Sequence, residues 1–257
     1  MNIHIIEYMR FKALNAFTLA EVLIAMVIVG VIAAITVPSI LQSVQKRELA
    51  AAFKKSYSQL SDAFNLTIID GYDTFVLNPT ESRPDGDVDW NPEFARVVYS
   101  KYNKLQKIDG KTKREYAQKT RNFSKKKLVG VPQCSQLFSG SDAFIAMDGS
   151  AISIMQNCHS LWFTIDTNGV SKGPNALGHD VFLFVAPANG KALLPATSES
   201  EVKLNEDGKY VYNNTSETKE KCSFKSQSDI NGVTCATYAI IDKCPDGSGR
   251  GYWDCLP

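Results

Sequence analysis

Residues 17–41, FTLAEVLIAMVIVGVIAAITVPSIL, form an apolar run of 25 residues with a single charge, Glu21. At about 1.5 Å rise per residue such a helix reaches roughly 37 Å. That exceeds the roughly 30 Å hydrocarbon core of a bilayer, so the run can span a membrane with some tilt. A secretory signal peptide is the nearest competitor, but its apolar region is usually about 7–15 residues long. This run is longer and continues into further helical sequence. It reads first as a membrane helix.

Glu21 stands near the start of the run, where an unpaired carboxylate costs several kcal/mol. No Lys or Arg lies within the run to pair with it. Either the carboxylate sits at the interface and snorkels into the headgroups, or it meets a positive charge from another subunit. The second reading requires a new amino terminus at the membrane surface, hence a cut just before Phe17.

The segment Ala16-Phe17-Thr18-Leu19-Ala20-Glu21, after a short leader bearing Arg10 and Lys12, resembles the processing site of type IV prepilins and type II secretion pseudopilins. The resemblance implies that a prepilin peptidase cuts between Ala16 and Phe17 and methylates the new amino group of Phe17. It also makes Glu21, the fifth residue after the cut, the assembly residue. Gly30 and Pro38 fall where the family's membrane helix carries a Gly and a Pro, the stretch that loosens in assembled filaments. The physical grounds agree, since Gly weakens a helix and Pro removes one of its hydrogen bonds. The family's usual Gly before the cut is Ala16 here, still small but expected to slow cleavage. The resemblance covers about the first 55 residues.

Four segments follow: a leader (1–16), a transmembrane or filament-core helix (17–41), the amphipathic half of the same helix (42–70) and a globular head (71–257). Met9 is an alternative start that keeps both positive charges of the leader. Basic residues before a membrane helix hold that end in the cytoplasm, so the expected location is a single-pass inner-membrane protein with its head in the periplasm, and afterwards the pilus or pseudopilus or the cell surface. Apolar content of 44% and charged content of 21% suit a folded head of one domain. A net charge of +1 points to no particular partner.

From Gln42 the pattern becomes amphipathic. Val44, Leu49, Phe53, Leu60, Phe64 and Ile68 recur at multiples of three or four among Lys46, Arg47, Glu48, Lys54 and Lys55. No glycine interrupts residues 42–70, and Gly71 supplies a stop. One helix over 17–70 is expected, the alternative being two helices hinged at Pro38.

Residues 71–92 are rich in Pro, Asp, Gly and Asn and read as loop. Phe94, Val97, Val98, Leu105 and Ile108 then suggest a second helix over about 92–108. After Val131 the pattern turns to strands: 143–147 and 151–155 flank Asp148-Gly149-Ser150, a hairpin signal. Residues 161–166, 180–186 and 238–242 supply further strands, with 209–212 weaker. Residues 197–221 read as an exposed, mobile excursion. Strands after a helical half imply an α+β head, with an antiparallel sheet covering the long helix. The family resemblance implies the same layout with about four strands.

Residues 101–127 hold 11 Lys or Arg against Asp109 and Glu115, a net +9 in a chain whose total is +1. Such a stretch can bind nucleic-acid phosphates, and some pilin-like proteins belong to DNA-uptake machines. A solvated face, or a contact with an acidic neighbour in a filament, accounts for the same charges. Tyr102, Tyr116 and Phe123 are interleaved without a recognisable stacking motif.

Six cysteines, Cys134, Cys158, Cys222, Cys235, Cys244 and Cys255, all lie in the head. An even count in an exported domain favours disulfides, among 15 possible connectivities. Sequence proximity suggests Cys134 with Cys158, Cys222 with Cys235, and Cys244 with Cys255. Zinc is the rival, but there is no C-x-x-C and the head holds only His159 and His179.

In residues 166–180, DTNGVSKGPNALGHD, the side chains of Asp166, Asn168, Asn175 and Asp180 offer hard oxygen ligands that suit calcium. Some pseudopilins carry a calcium-bound loop in the head. The spacing is not an EF-hand, and the plainer reading is a tight turn at Asn168-Gly169 with Asx side chains bonding backbone. No metal is assigned.

The two head histidines are isolated, and G-x-S-x-G, H-E-x-x-H and phosphate-cradling Gly-rich patterns are missing. No enzymatic role and no cofactor are expected. The sequence therefore points to a structural subunit of a type IV pilus or type II secretion-like pseudopilus. Its expected partners are prepilin peptidase and other subunits. The alternative is a membrane-anchored periplasmic or surface binding module, able to bind DNA through residues 101–127.

Overall fold

The computed structural model describes residues 17–76, 89–102, 106–126, 142–157, 160–187, 192–196, 202–204, 210–212 and 221–256. The first element is one uninterrupted helix, α1 (Leu19–Ile69), of 51 residues, with Pro38 inside it. A paired-carbonyl cap ends it. Gly71, at φ 87°, donates to the Ile68 carbonyl at 3.0 Å, and Tyr72 reaches back to the Thr67 carbonyl at 3.2 Å. Only a residue without a Cβ adopts that φ cheaply, which is why the helix stops there.

The chain divides after Gln45 into two units. In the first, nearly every described residue is exposed, large apolar side chains such as Leu23, Val27 and Ile35 included. This stretch is long and apolar enough to cross a membrane, and none of it is buried.

The second unit begins at Lys46. Within it, residues 46–69 of α1 bury Phe53, Leu60, Ala63 and Phe64, with Ser56 and Thr67. Leu49 and Ile68 are half-buried against the same cluster. The expected stripe is therefore present from Leu49 onward, whereas Val44 is exposed.

The sheet that receives α1 has six antiparallel strands in the order β3-β4-β5-β6-β7-β8. They are β3 (Gln106–Lys107), β4 (Ala143–Ile145), β5 (Ala151–Asn157), β6 (Ser160–Asp166), β7 (Val181–Pro187) and β8 (Leu194–Pro195). The expected hairpin at Asp148-Gly149-Ser150 joins β4 to β5. Side chains alternate between two cores. Phe163, Ile165, Phe182 and Phe184 pack with Phe53, Leu60 and Phe64. Trp162, Leu183 and Val185 pack with Tyr116 on the opposite face. A strand covered on both faces reads as continuously apolar, as VFLFVA in β7 does.

Four sequence expectations change. About four strands become six, because the two-residue edges β3 and β8 are too short to leave a pattern. The second helix, α2 (Pro92–Lys101), stops at Lys101 rather than at 108. Ile108 instead belongs to the outer core, next to a third helix, α3 (Gly110–Lys119). The stretch expected as loop over 71–92 carries a two-stranded sheet, β1 (Phe75–Val76) with β2 (Asp89–Trp90), and in the stretch expected as an exposed excursion β9 (Val202–Leu204) pairs with β10 (Tyr210–Tyr212), the latter at the weaker strand expected over 209–212. Residues 238–242, expected as a strand, fall at the end of helix α4 (Cys235–Ile240) and the turn beyond it. Here Cys235, Ala236 and Ala239 are the buried residues. That spacing of three and four fits one helical face and no strand. A last short helix, α5 (Tyr252–Cys255), sets Trp253 against Phe53 with centroids 5.5 Å apart.

Candidate functional site

The proposed processing site lies at the start of α1. Phe17 is 83% exposed and precedes the first helical residue, while Ala16 lies outside the described residues. Glu21 has a local partner that the sequence reading did not assign. Its Oε2 accepts from the Thr18 amide at 2.8 Å and from the Thr18 hydroxyl at 2.9 Å. The Glu21 amide in turn donates to Thr18 Oγ1 at 3.2 Å. This is a reciprocal capping box, which serves otherwise orphaned amides at the helix start. Its T-x-x-E signature is plain in Thr18-Leu-Ala-Glu21. Gly30 has nothing within 4 Å of where a Cβ would stand, so only its helix propensity sets it apart.

In the head, Cys222 bonds Cys235 and Cys244 bonds Cys255. Cys134 and Cys158 lie outside the described residues.

The basic stretch divides into separate uses. Lys101 pairs with Asp70, Lys107 with Asp142 at 2.6 Å, and Lys111 with Glu115 at 4.0 Å. Arg121 donates to the carbonyls of Gln118 and Thr120, and Lys126 bonds Gln227. Tyr102, Tyr116 and Phe123 are all core residues, so their rings are not a platform for stacked bases. Asp109 caps α3 by accepting from the amides of Lys111 and Thr112.

Residues 166–180 form a closed loop on the end of the β6–β7 hairpin, its two aspartates fully buried. Asp166 Oδ1 accepts from the amides of Asn168 and Gly169 at 3.2 and 2.8 Å, and its Oδ2 from the Tyr116 hydroxyl at 2.7 Å. Asp180 accepts from the amides of Asn175 and Ala176 at 2.8 and 2.7 Å. These are the backbone-bonding Asx contacts of the plainer reading. Gly169, at φ 93°, leaves no room for a side chain, because a Cβ there would meet the Gly149 carbonyl. Burial pushes both carboxyls above the ordinary carboxylate range, and for Asp166 the neighbouring Asp180 adds to the effect. His179 is buried with its Nε2 3.0 Å from the Phe123 carbonyl, and desolvation lowers its pKa to about 4. His159 lies outside the described residues. The Tyr116–Asp166 bond links partners 50 residues apart, and no local pattern could have announced it.

No protein-family model, curated protein or solved structure matches this chain.

Proposed function

We propose that this chain is a pilin-class structural subunit, cut between Ala16 and Phe17 by a prepilin peptidase and assembled through its amino-terminal helix. One observation carries the reading. A single helix changes along its length from a nearly fully exposed apolar stretch to a core-forming amphipathic segment, from Leu49 onward, in a sheet-bearing head. A chain that must sit first in lipid and then in a helical bundle needs that exposed apolar length, with a folded domain at the far end. The processing motif and the exported-type disulfides support it.

In the filament Glu21 neutralises the Phe17 ammonium of a neighbour. Thr18 occupies Oε2, and the carboxylate's second oxygen is left to accept from that ammonium. A charge pair in an apolar bundle sets register, because any slip leaves both charges unpaired. A tethered binding module is the second reading, favoured by the exposed Lys111, Arg114 and Lys119 of α3.

The test is the mass and N-terminal sequence of the membrane-extracted protein, with and without the host's prepilin peptidase. N-methylated Phe17 only when the peptidase is present is the expected result. An intact leader in both samples would make the chain a tethered module, and a cut near Ala34 would make it a secreted protein.

A further inference from the structure

We propose that the end of the head nearest the apolar run is a docking surface for anionic phospholipid headgroups, which hold the anchored head down on its own bilayer. The inference rests on α1 spanning a membrane, which both readings of the chain share, and goes beyond either of them.

Ring contacts fix which part of the head lies at that end. Along α1, Phe53 packs on Phe182, Tyr57 on Phe184 and Phe64 on Phe163, with centroids 4.4, 5.2 and 5.8 Å apart. β7 therefore runs alongside α1 in the same direction, and the 166–180 loop before it lies beside the first residues of the head. Lys46 agrees with this placement. Its Nζ donates to the Asp254 carbonyl at 3.2 Å, and both Lys46 and Lys125 lie within electrostatic reach of the buried His179 ring. Two further segments are tied to the loop. The Arg121 amide donates to the Asn175 carbonyl at 2.8 Å and the Leu177 amide to the Arg121 carbonyl at 2.9 Å. The Phe123 amide donates to the Asn231 carbonyl at 2.7 Å, and Asn122 Nδ2 to the Ser228 carbonyl at 3.1 Å.

These segments share one sign of charge. Residues 119–126, 167–179 and 221–231 hold seven Lys or Arg against Asp229 alone. Lys119, Lys125, Lys126, Lys172 and Lys225 are exposed. On α1, Lys46 and Arg47 add to them against Glu48. The neighbouring 242–254 loop, with Lys243 and Arg250 against three aspartates, subtracts a single charge. Toward the Gly71 cap the sign reverses: residues 62–76 and 89–96 hold Asp62, Asp70, Asp73, Asp89 and Glu93 against Arg96. The head is a dipole with its positive end where α1 enters.

Connectivity selects the partner. The apolar run ends at Leu41 and Lys46 follows five residues on, so the chain keeps Lys46 within about 17 Å of the hydrocarbon edge whatever angle the head takes. An anionic leaflet attracts each nearby basic side chain by about 1 kcal/mol, over a Debye length of about 8 Å. The tether raises the effective concentration of the whole basic surface over the leaflet, so weak single attractions act together.

The test is lysine labelling of the full chain, one copy per bilayer nanodisc. One set of discs is zwitterionic phosphatidylcholine, and the other carries roughly a third phosphatidylglycerol. Labelling of Lys125, Lys126, Lys172 and Lys225 should slow about fivefold in the anionic discs and recover in high salt. Lys111, at the end of α3 away from the loop, should change by less than about twofold. Lys172→Glu combined with Lys225→Glu should abolish the slowing at Lys125 and Lys126, with unchanged labelling in zwitterionic discs showing that the variant is folded. Equal wild-type labelling in the two discs, or full slowing in the folded variant, would overturn the inference while leaving α1 in the membrane. A chain that enters neither disc would overturn the membrane placement and the inference together. Equal slowing by free inorganic phosphate in zwitterionic discs would assign the surface to a soluble anion, and slowing only when two copies share a disc would assign it to a second copy. Either result would overturn the lipid assignment.

Discussion

The Tyr99 hydroxyl accepts from the Ile154 amide at 2.7 Å and donates to the Asp142 carbonyl at 2.8 Å. The β4–β5 ladder ends where Ala143 faces Ser153, so Tyr99, carried on α2, serves the next amide of β5 in place of a strand. Burial pushes the Tyr99 hydroxyl well above its ordinary pKa, which keeps it a donor. Tyr99→Phe should destabilise the head by about 1–3 kcal/mol. The urea midpoint measures this, and an unchanged midpoint would mean water replaces the hydroxyl.

Phe64 is fully buried and makes edge contacts with Phe94 and Phe163, centroids 5.4 and 5.8 Å apart. It joins α1, α2 and β6 at one point. Phe64→Ala should lower head stability by about 3–5 kcal/mol, while exposed Leu66→Ala should stay within about 0.5 kcal/mol. Thermal unfolding of the two variants side by side checks the contrast.

The Cys222–Cys235 bond closes a separation of 13 residues, and both sulfurs are buried. Replacing both cysteines by serine should cost about 3 kcal/mol, chiefly by freeing the unfolded chain. Proteolysis should then begin within residues 221–234. Cleavage elsewhere at the same rate as in the wild type would argue that Asn231, which bonds Ser223, Ser124 and Ser226, holds the segment without the disulfide.

Glu21→Val should leave cleavage before Phe17 intact yet reduce filament incorporation by more than about a hundredfold, since the neighbour's ammonium is then buried unpaired. Immunoblots of sheared filaments against membrane fractions read both quantities. Normal incorporation of the mutant would remove Glu21 from the assembly mechanism.

His179 is held neutral, with a pKa lowered to about 4. The unfolded chain takes up this proton near pH 6.5 and the folded head only near 4, so stability is lost as pH falls through that interval. His179→Gln should remove the penalty, gaining roughly 2 kcal/mol relative to wild type between pH 7 and pH 5. Paired denaturation curves at the two pH values give the difference directly. A constant difference would mean that His179 does not titrate in this range.

Local patterns were the legible part. The apolar run, the continuous helix with its Gly71 stop and the β4–β5 turn rest on contacts within a few residues, so the pattern carries the cause. The T-x-x-E box at Thr18 and Glu21 was equally local. Strand limits at β3 and β8 were not readable, because a two-residue strand exists only through its partner.

By itself, then, the sequence determined a long exposed apolar helix leading into an α+β head, together with the two proximal disulfides, since backbone periodicity and short loop closure decide both. Tertiary structure alone decided that the basic stretch buries its aromatics, that residues 235–240 form a helix, and that Asp166, Asp180 and Tyr116 meet. Each of those outcomes depends on surfaces dozens of residues apart being desolvated together, and no local window contains that free energy.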